Sequence, residues 1–298
     1  MHGELKMAAI HYRPLREEEM PEAVEIFFTS LGDLIERRNL TQPLPPRDYV
    51  ITSYQHIYRT GIFQVAEVDG RLASICHAVV RGPLWFLSGF WTLPAFQGQK
   101  IGRTLLRRVW DEGALEGGAS IFFTWSSIDL QAMASYMKFG MLPGYQILTL
   151  AGTLREMPEG QAGYETGPLE MSEALRIDEQ VRATRREVDH RFWLSELKYE
   201  GRQLMWGGRT IGYYYLNKGT IGPAAWLEER DAQALLESAS REASEQAEMI
   251  RVMIPGVNHI ALRFAFQAGL RLISYSHLLT TSAFGQMEKY LPSGPSLF

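Results

Sequence analysis

Cys76 is the only cysteine among 298 residues. No disulfide can therefore form within the chain, and nothing points to an oxidising compartment. No apolar run approaches the roughly 18 residues that a membrane-spanning helix needs, and the opening MHGELKMAAIHY lacks the apolar stretch of a secretory leader. The expectation is a cytoplasmic protein with no membrane partner. Positive charge is not in excess either. Thirty Lys and Arg stand against 34 Asp and Glu, a net charge of −4, without the basic footprint that nucleic-acid binding leaves. No G-x-G-x-x-G follows a strand, which disfavours a dinucleotide fold. The seven histidines are scattered, and none is spaced with the cysteine as zinc ligands are, so no metal is expected. What remains, 46% hydrophobic and 21% charged residues, is the composition of a globular protein long enough for two domains.

Periodicity supplies the elements. PLREEEMPEAVEIFFTSLGDLIERR has helical spacing, with Met20, Val24, Phe27, Phe28, Leu31, Leu34 and Ile35 on one broad face. PPRDYVITSYQHIYRT reads as a second helix entered through prolines. Two strand-like runs meet at Asp69-Gly70, a hairpin dipeptide that tolerates positive φ. PLWFLSGFWTL is a strand too apolar to have a wet face, and a helix follows from about 98 to 116. ASIFFTW is a buried strand, DLQAMASYMKF a short helix and GYQILTLAGTL a closing strand. Strands alternating with helices argue mixed α/β architecture, and the Gly- and Pro-rich stretch 155–168 reads as a linker.

Beyond the linker the order repeats. A shift of 129 residues places Pro94 on Pro223, Asp129 on Asn258, Ala132 on Ala261 and Gly140 on Gly269 without a gap. This is the pattern of a duplication, with domains over 1–155 and 156–298. In the second half RATRREVDHR reads as a cationic helix with a solvated face, and the tail FGQMEKYLPSGPSLF either lies along a cleft or is loose.

The connection FWTLPAFQGQKIG enters a helix through a glycine-containing turn. Backbone N–H groups left unpaired there sit at the positive end of the helix dipole, which suits a pyrophosphate. Standing alone, such a turn is equally a helix start that needed glycine for packing. It does not stand alone. LPAFQGQKIG resembles the acyl-CoA signature of the GNAT N-acetyltransferase superfamily, with Gln97 in the first place, Gly102 in the last and Lys100 replacing the middle glycine. DLQAMASYMKFGM resembles the family's second segment, with Asp129 where the family has Asn, then Ala132, Tyr136 and Gly140-Met141.

The resemblance implies an α/β fold of two GNAT-like domains, each a mixed central sheet with splayed strands flanked by helices. It implies that acetyl-CoA is the co-substrate. The pantetheine would lie along Trp91, Thr92 and Leu93, and the pyrophosphate on Gln97, Gly98, Gln99, Lys100, Ile101, Gly102 and Arg103, with Asp129 and Tyr136 completing the cofactor-binding set. Tyr136 would protonate the departing thiolate; a phenol with pKa about 10 is close enough to a thiol for this transfer to be nearly balanced. Many family members carry a carboxylate base on the strand before the turn, but PLWFLSGFWTL has none. His77 and Glu67 are the fallback bases.

The second half differs where the chemistry would be. Glu228 to Asp231 stand in the place of the phosphate turn and would repel a pyrophosphate, and Ala265 replaces Tyr136. The resemblance thus implies a degenerate second domain that completes the acceptor cleft, caps the first domain or makes a homodimer. The leading expectation is acetyl transfer to a small-molecule amine or peptide. The alternatives are a GNAT-fold protein that binds an acyl-CoA or another small ligand without turnover, and an acyltransferase using a longer acyl group.

Overall fold

A computed structural model describes residues 9–40, 43–156 and 160–298. The start of the N-terminal stretch and part of the expected linker (157–159) lie outside the described residues. The first half runs β1 (Ile10–Pro14), α1 (Met20–Arg38), α2 (Arg47–Thr60), β2 (Ile62–Val68), β3 (Arg71–Arg81), β4 (Leu84–Thr92), α3 (Ile101–Leu115), β5 (Ile121–Ser126), α4 (Leu130–Met137) and β6 (Leu142–Gly152). The second runs β7 (Tyr164–Pro168), α5 (Met171–Arg182), α6 (Glu187–Ser195), β8 (Glu200–Trp206), β9 (Arg209–Asn217), β10 (Thr220–Trp226), α7 (Ala232–Gln246), β11 (Ile250–Pro255), α8 (His259–Gln267) and β12 (Arg271–Thr280), followed by the short β13 (Tyr290–Leu291). Up to β12 the two halves carry the same elements in the same order. The architecture is mixed α/β, sheet strands flanked by helices.

Two compact units result, one of residues 1–80 with 87–120, the other of 81–86 with 121–298. They are cut at different places from the sequence repeat. In the first unit the strands lie in the order β1-β2-β3-β4. The β2–β3 hairpin turns at Asp69 and Gly70, both at positive φ (47° and 80°), as a two-residue turn matching the strand twist requires. Helix α1 has proline in its first turn and stops at Asn39 in the left-handed region. Its buried face is turned from the expected one: Ile26 is buried, while Phe27 and Phe28 are half-exposed.

In the second unit the order is β5-β12-β6-β11-β10-β9-β8-β7, with β13 on β10. The closing strands are exchanged between the halves. β12, from the second half, pairs antiparallel with β5, with His277 opposite Ser126. β6, from the first half, pairs antiparallel with β11, with Ile250 opposite Gly152. The two exchanged strands also pair with each other along most of their length. Helix α7 closes over this unit's core with Ala232, Ala234, Ala239 and Ala243 buried beside Leu235 and Leu236, small side chains that let a helix approach the sheet closely.

The repeat holds in register from β5 onward and fails before it, α3 (Ile101–Leu115) standing 131 residues from α7 (Ala232–Gln246). β5 at 121–126 falls on β11 at 250–255. Asp129 and Asn258 both cap a helix, accepting from the N–H of Gln131 (2.9 Å) and of Ala261 (3.1 Å). Pro94, however, follows β4, whereas Pro223 lies inside β10. Those prolines are not equivalent, and the strand-to-helix connection shortens from residues 93–100 to residues 227–231, so a gap is required.

Three other expectations need correction. RATRREVDHR is not one helix with a solvated face. It is the end of α5, a reversal through Ala183 (φ 64°) and the start of α6, with Arg182, Arg186, Asp189 and His190 buried. Of the two readings of the C-terminal tail the loose one fails, with Phe284, Met287, Tyr290, Leu291, Leu297 and Phe298 all buried. Within the expected linker, Tyr164–Pro168 forms β7 on the outer side of β8; its Gly and Pro are tolerated because the strand is an edge.

The strand exchange makes a direct prediction. A chain of residues 1–155 leaves β5 and β6 without their partners β12 and β11, and is expected to show no cooperative thermal transition. Co-expression with residues 156–298 is expected to restore one in a co-purifying pair. Separate cooperative melting of each piece would mean that the halves can close their own sheets.

Candidate functional site

The expected phosphate turn lies wholly in the first unit. After β4, Pro94–Phe96 make a single 3-10 turn and Gln97 is extended. Gly98 and Lys100 then both adopt left-handed backbone (φ 76° and 65°) before α3 begins at Ile101. The helix therefore starts three residues later than its pattern suggests. Among the described residues, no backbone acceptor takes the N–H groups of Gly98 through Arg103; the first one engaged is Thr104, to Lys100 O at 3.2 Å. Successive N–H groups without a backbone acceptor, beside left-handed residues at the start of a four-turn helix, are the arrangement that suits an anion. Lys100 occupies the position that the motif reserves for glycine and keeps the glycine-like φ, at a cost of about 1–2 kcal/mol for a residue bearing a Cβ.

Two contacts fix this turn to β4. The Gln97 amide donates to Thr92 O at 3.0 Å. Gly102 lies against the strand so closely that a Cβ there would come 2.8 Å from Phe90 Cζ and 3.0 Å from Thr92 Oγ1. The motif's closing glycine is thus a packing requirement here.

The end of β4 is also held from β3. Ser74 Oγ donates to Trp91 O (2.9 Å) and lies 2.7 Å from Thr92 Oγ1, while Leu93 N–H donates to Ala73 O (3.0 Å). The Leu93 N–H is therefore engaged by the sheet. Sequence reading missed Ser74; a single hydroxyl in an apolar strand was its only signal. The Trp91 ring stands edge-on to Phe27 at 5.1 Å, and Phe27 meets Phe28 at 5.0 Å and Tyr54 at 6.0 Å. This half-exposed aromatic wall joins residues 64 positions apart, which no local pattern could announce.

Neither fallback base is disposed for the role. Glu67 accepts from Arg13 Nε (3.1 Å) and Nη2 (2.7 Å), a guanidinium it shares with Glu19. His77 is 1% exposed, and neither ring nitrogen has a hydrogen-bond partner. Its ring sits between Tyr54 (4.5 Å) and Phe63 (4.6 Å) and covers Gly89, where a Cβ would come 2.3 Å from Nε2. Burial pushes its pKa down from 6.5 to about 3, so the ring is neutral and weakly basic at neutral pH. His77 is a core residue.

Asp129 and Tyr136 belong to the second unit. The Asp129 carboxylate caps α4. Tyr136 is the buried side chain of that short helix. Ala265, in the matching place on α8, is buried too. The shortened connection 227–231 carries Glu228, Glu229 and Asp231, the last 3% exposed and accepting from Tyr164 Oη at 3.0 Å. It is negatively charged. Among the described residues no group of three or more His, Cys, Asp or Glu could hold a metal ion, and no helix is long and apolar enough to cross a membrane.

The His77 environment carries a pH prediction. The unfolded chain protonates this ring near pH 6.5, the folded chain only near pH 3. Stability is thus unaffected by this group above pH ~6.5 and falls below it by about 1.4 kcal/mol per unit. His77→Leu is expected to flatten the decline of the thermal midpoint between pH 6.5 and 4, whatever its effect on the midpoint at pH 7. An unchanged slope would mean that the ring is solvated.

Comparison with known proteins agrees with this geometry. Residues 28–141 match the model of the Acetyltransferase (GNAT) family. No curated protein matches the sequence. Among solved structures, a candidate acetyltransferase from Pyrococcus horikoshii is 17% identical with a TM-score of 0.76, over 100% of this chain and 99% of that one. A GCN5-related N-acetyltransferase from Sphaerobacter thermophilus is 15% identical, TM-score 0.64, over 91% and 95%. A tandem GNAT protein from the clavulanic acid biosynthesis pathway is 15% identical, TM-score 0.59, over 91% and 98%. Residues 28–141 are thus matched to the acetyltransferase (GNAT) family, and the chain as a whole has the fold of GNAT-related proteins.

Proposed function

We propose that this chain is an acetyl-CoA-dependent N-acetyltransferase acting on a small-molecule or peptide amine. In this reading residues 1–155 carry the activity, and residues 156–298 are a degenerate repeat. The observation that carries the proposal is the turn from Gly98 to Arg103, with its run of unengaged N–H groups. Acetyl-CoA, when bound, supplies an acyl group activated as a thioester. The chain's own part is to seat the pyrophosphate on those amides, with the side chains of Lys100 and Arg103 adding positive charge. Trp91 and Thr92 offer backbone to the pantetheine. Tyr136 is assigned as the group that gives a proton to the leaving sulfur.

Degeneracy of the second repeat follows from charge. Three carboxylates on a shortened connection oppose a pyrophosphate at that helix start, and Ala265 has no proton to give. The acceptor amine must lose a proton before it attacks. With His77 buried and Glu67 paired, water or an amine that arrives neutral fills that need.

A second reading, ligand binding without turnover, has one observation in its favour: neither side chain suggested as a base is disposed for that role, His77 being buried and Glu67 paired with Arg13.

Calorimetric titration with acetyl-CoA and with CoA tests the site. One site per chain is expected; two would mean that the acidic connection binds after all, and none would remove the phosphate turn from the proposal. Tyr136→Phe is expected to lower turnover about tenfold or more, in the range of general-acid effects, with acetyl-CoA affinity nearly unchanged. An unchanged rate would take Tyr136 out of the mechanism. Absence of turnover in the parent chain across an amine screen, with binding intact, would favour the second reading.

Lys100→Gly separates backbone from side chain. It relieves the left-handed strain and is expected to raise the thermal midpoint by roughly 1–3 °C. Because the amides stay in place, acetyl-CoA binding should persist. Loss of binding would transfer the role from the backbone to the lysine side chain.

A further inference from the structure

In the second unit β10 and β11 run parallel but stay paired for only two residues. Thr220 lies opposite Arg251 and Ile221 opposite Val252. The far edge of β10 belongs to β9 as far as Trp226, which lies opposite Gly212. From Ala224 the near edge is taken by the tail: β13 pairs antiparallel there, with Ala224 opposite Leu291 and Ala225 opposite Tyr290. β13 also touches β11. The two parallel strands thus part after Ile221, and the tail fills the wedge between them.

The wedge is fitted to its contents. Tyr290 and Leu291 are both 0% exposed. Asn258, equally buried, does two things at once. Its Oδ1 accepts from the Ala261 N–H (3.1 Å) and caps α8, while its Nδ2 donates to the Tyr290 carbonyl (3.2 Å). Gly222 leaves room for the tail backbone; a Cβ there would come 2.5 Å from Pro292 O. Lys289, just ahead of the buried pair, donates from Nζ to Leu227 O at 2.8 Å. Leu227 opens the connection that carries Glu228, Glu229 and Asp231, so the tail brings a cation to an acidic segment.

We propose that the β10–β11 wedge is a peptide-binding site, that it takes an extended segment in which a lysine precedes an aromatic and an aliphatic residue, and that Lys289–Pro292 are its resident ligand. Strand pairing to β10 supplies affinity, as in other sites that add a peptide to a sheet edge. Asn258 holds one carbonyl of the segment, and burial of Tyr290 and Leu291 beside the acidic connection supplies selectivity. In element order β10 stands where β4 does, and Asn258 stands at the place of Asp129. Both counterparts belong to the set that the resemblance gives to the cofactor. That correspondence rests on the acetyl-transfer reading; the peptide site does not. The second half has then exchanged one ligand for another, because carboxylates that oppose a phosphate favour a lysine.

The full chain tests this with a protease sequence inserted between Ser282 and Ala283, both exposed, and cut after folding. The cut tail is expected to stay with the rest of the chain on a sizing column and to exchange with a labelled copy of residues 283–298. An amidated peptide of residues 284–292 should displace the labelled tail. The same peptide carrying Lys289→Glu and Leu291→Asp should need about tenfold more or beyond, and a peptide of residues 293–298 should not displace it. Asn258→Asp keeps the oxygen that caps α8 and removes the donor to Tyr290, so it should weaken the labelled tail about tenfold. A tail that does not exchange, equal displacement by the altered peptide or by residues 293–298, or unchanged affinity in Asn258→Asp would each overturn the proposal. If the cut chain sheds its tail and unfolds, recovery of its folded circular-dichroism signal on adding each peptide is read instead, with the same ranking expected. Acetyl-CoA is absent from all of these measurements, so their failure leaves the acetyl-transfer reading standing.

Discussion

The second unit depends on one pairing, the antiparallel contact of β6 with β12. Each of these strands closes its own half in sequence and the other half in space. β6 lies between β12 and β11, and β12 lies between β5 and β6, so neither half completes a sheet from its own strands. The helices that precede the exchanged strands inherit this dependence. α4 and α8 each end at a left-handed glycine, Gly140 (φ 89°) and Gly269 (φ 97°), which turns the chain directly into β6 or β12. The position of Tyr136 on α4 is therefore set by a strand that the other half of the chain holds in place.

In the first unit the governing constraint is the approach of α3 to β4. Gly102 lets the helix start press on Phe90 and Thr92, and Gln97 ties the loop back to the strand end. The residues between must cover a short distance, and two of them, Gly98 and Lys100, are left-handed. Anion binding and close packing thus ask for the same backbone at this point. The buried His77 shows a different compromise. Neither nitrogen has a partner, and the core tolerates this by holding the ring neutral, since the desolvation cost of a neutral imidazole is far below that of its cation.

Much of this was legible in the sequence because it is local. Helix and strand periods are set by which residues face the core, and these identified the elements of both halves apart from the edge strands β1 and β7 and the short β13. The Asp69-Gly70 hairpin and the Gln97–Gly102 turn were found because positive φ selects a few residue types. The exchange of β6 and β12 was not legible. Both are apolar strands of similar length, and period-2 alternation states which face is buried without naming the neighbour. The charges of RATRREVDHR misled for a related reason. Arginine is exposed as a rule, and the exceptions here depend on Asp178, on Arg81 a hundred residues away, and on the main-chain oxygen of Phe298. At the candidate site, Ser74 and the Phe27–Trp91 contact are tertiary facts of the same kind.

The two halves together separate what the fold needs from what chemistry would need. A capping side chain stands at both Asp129 and Asn258, a left-handed glycine ends both short helices, and the strand after each is exchanged. These features recur, and each has a sufficient structural cause, so Asp129 and Gly140 argue for the fold and not for a reaction. Other features do not recur. Tyr136 has Ala265 in its place, and the open turn with unengaged amides has a shorter, acidic connection in which Asp231 is buried against Tyr164. The fold stands in the second half without a tyrosine on that helix face or exposed N–H groups at that helix start, so packing alone does not call for them in the first.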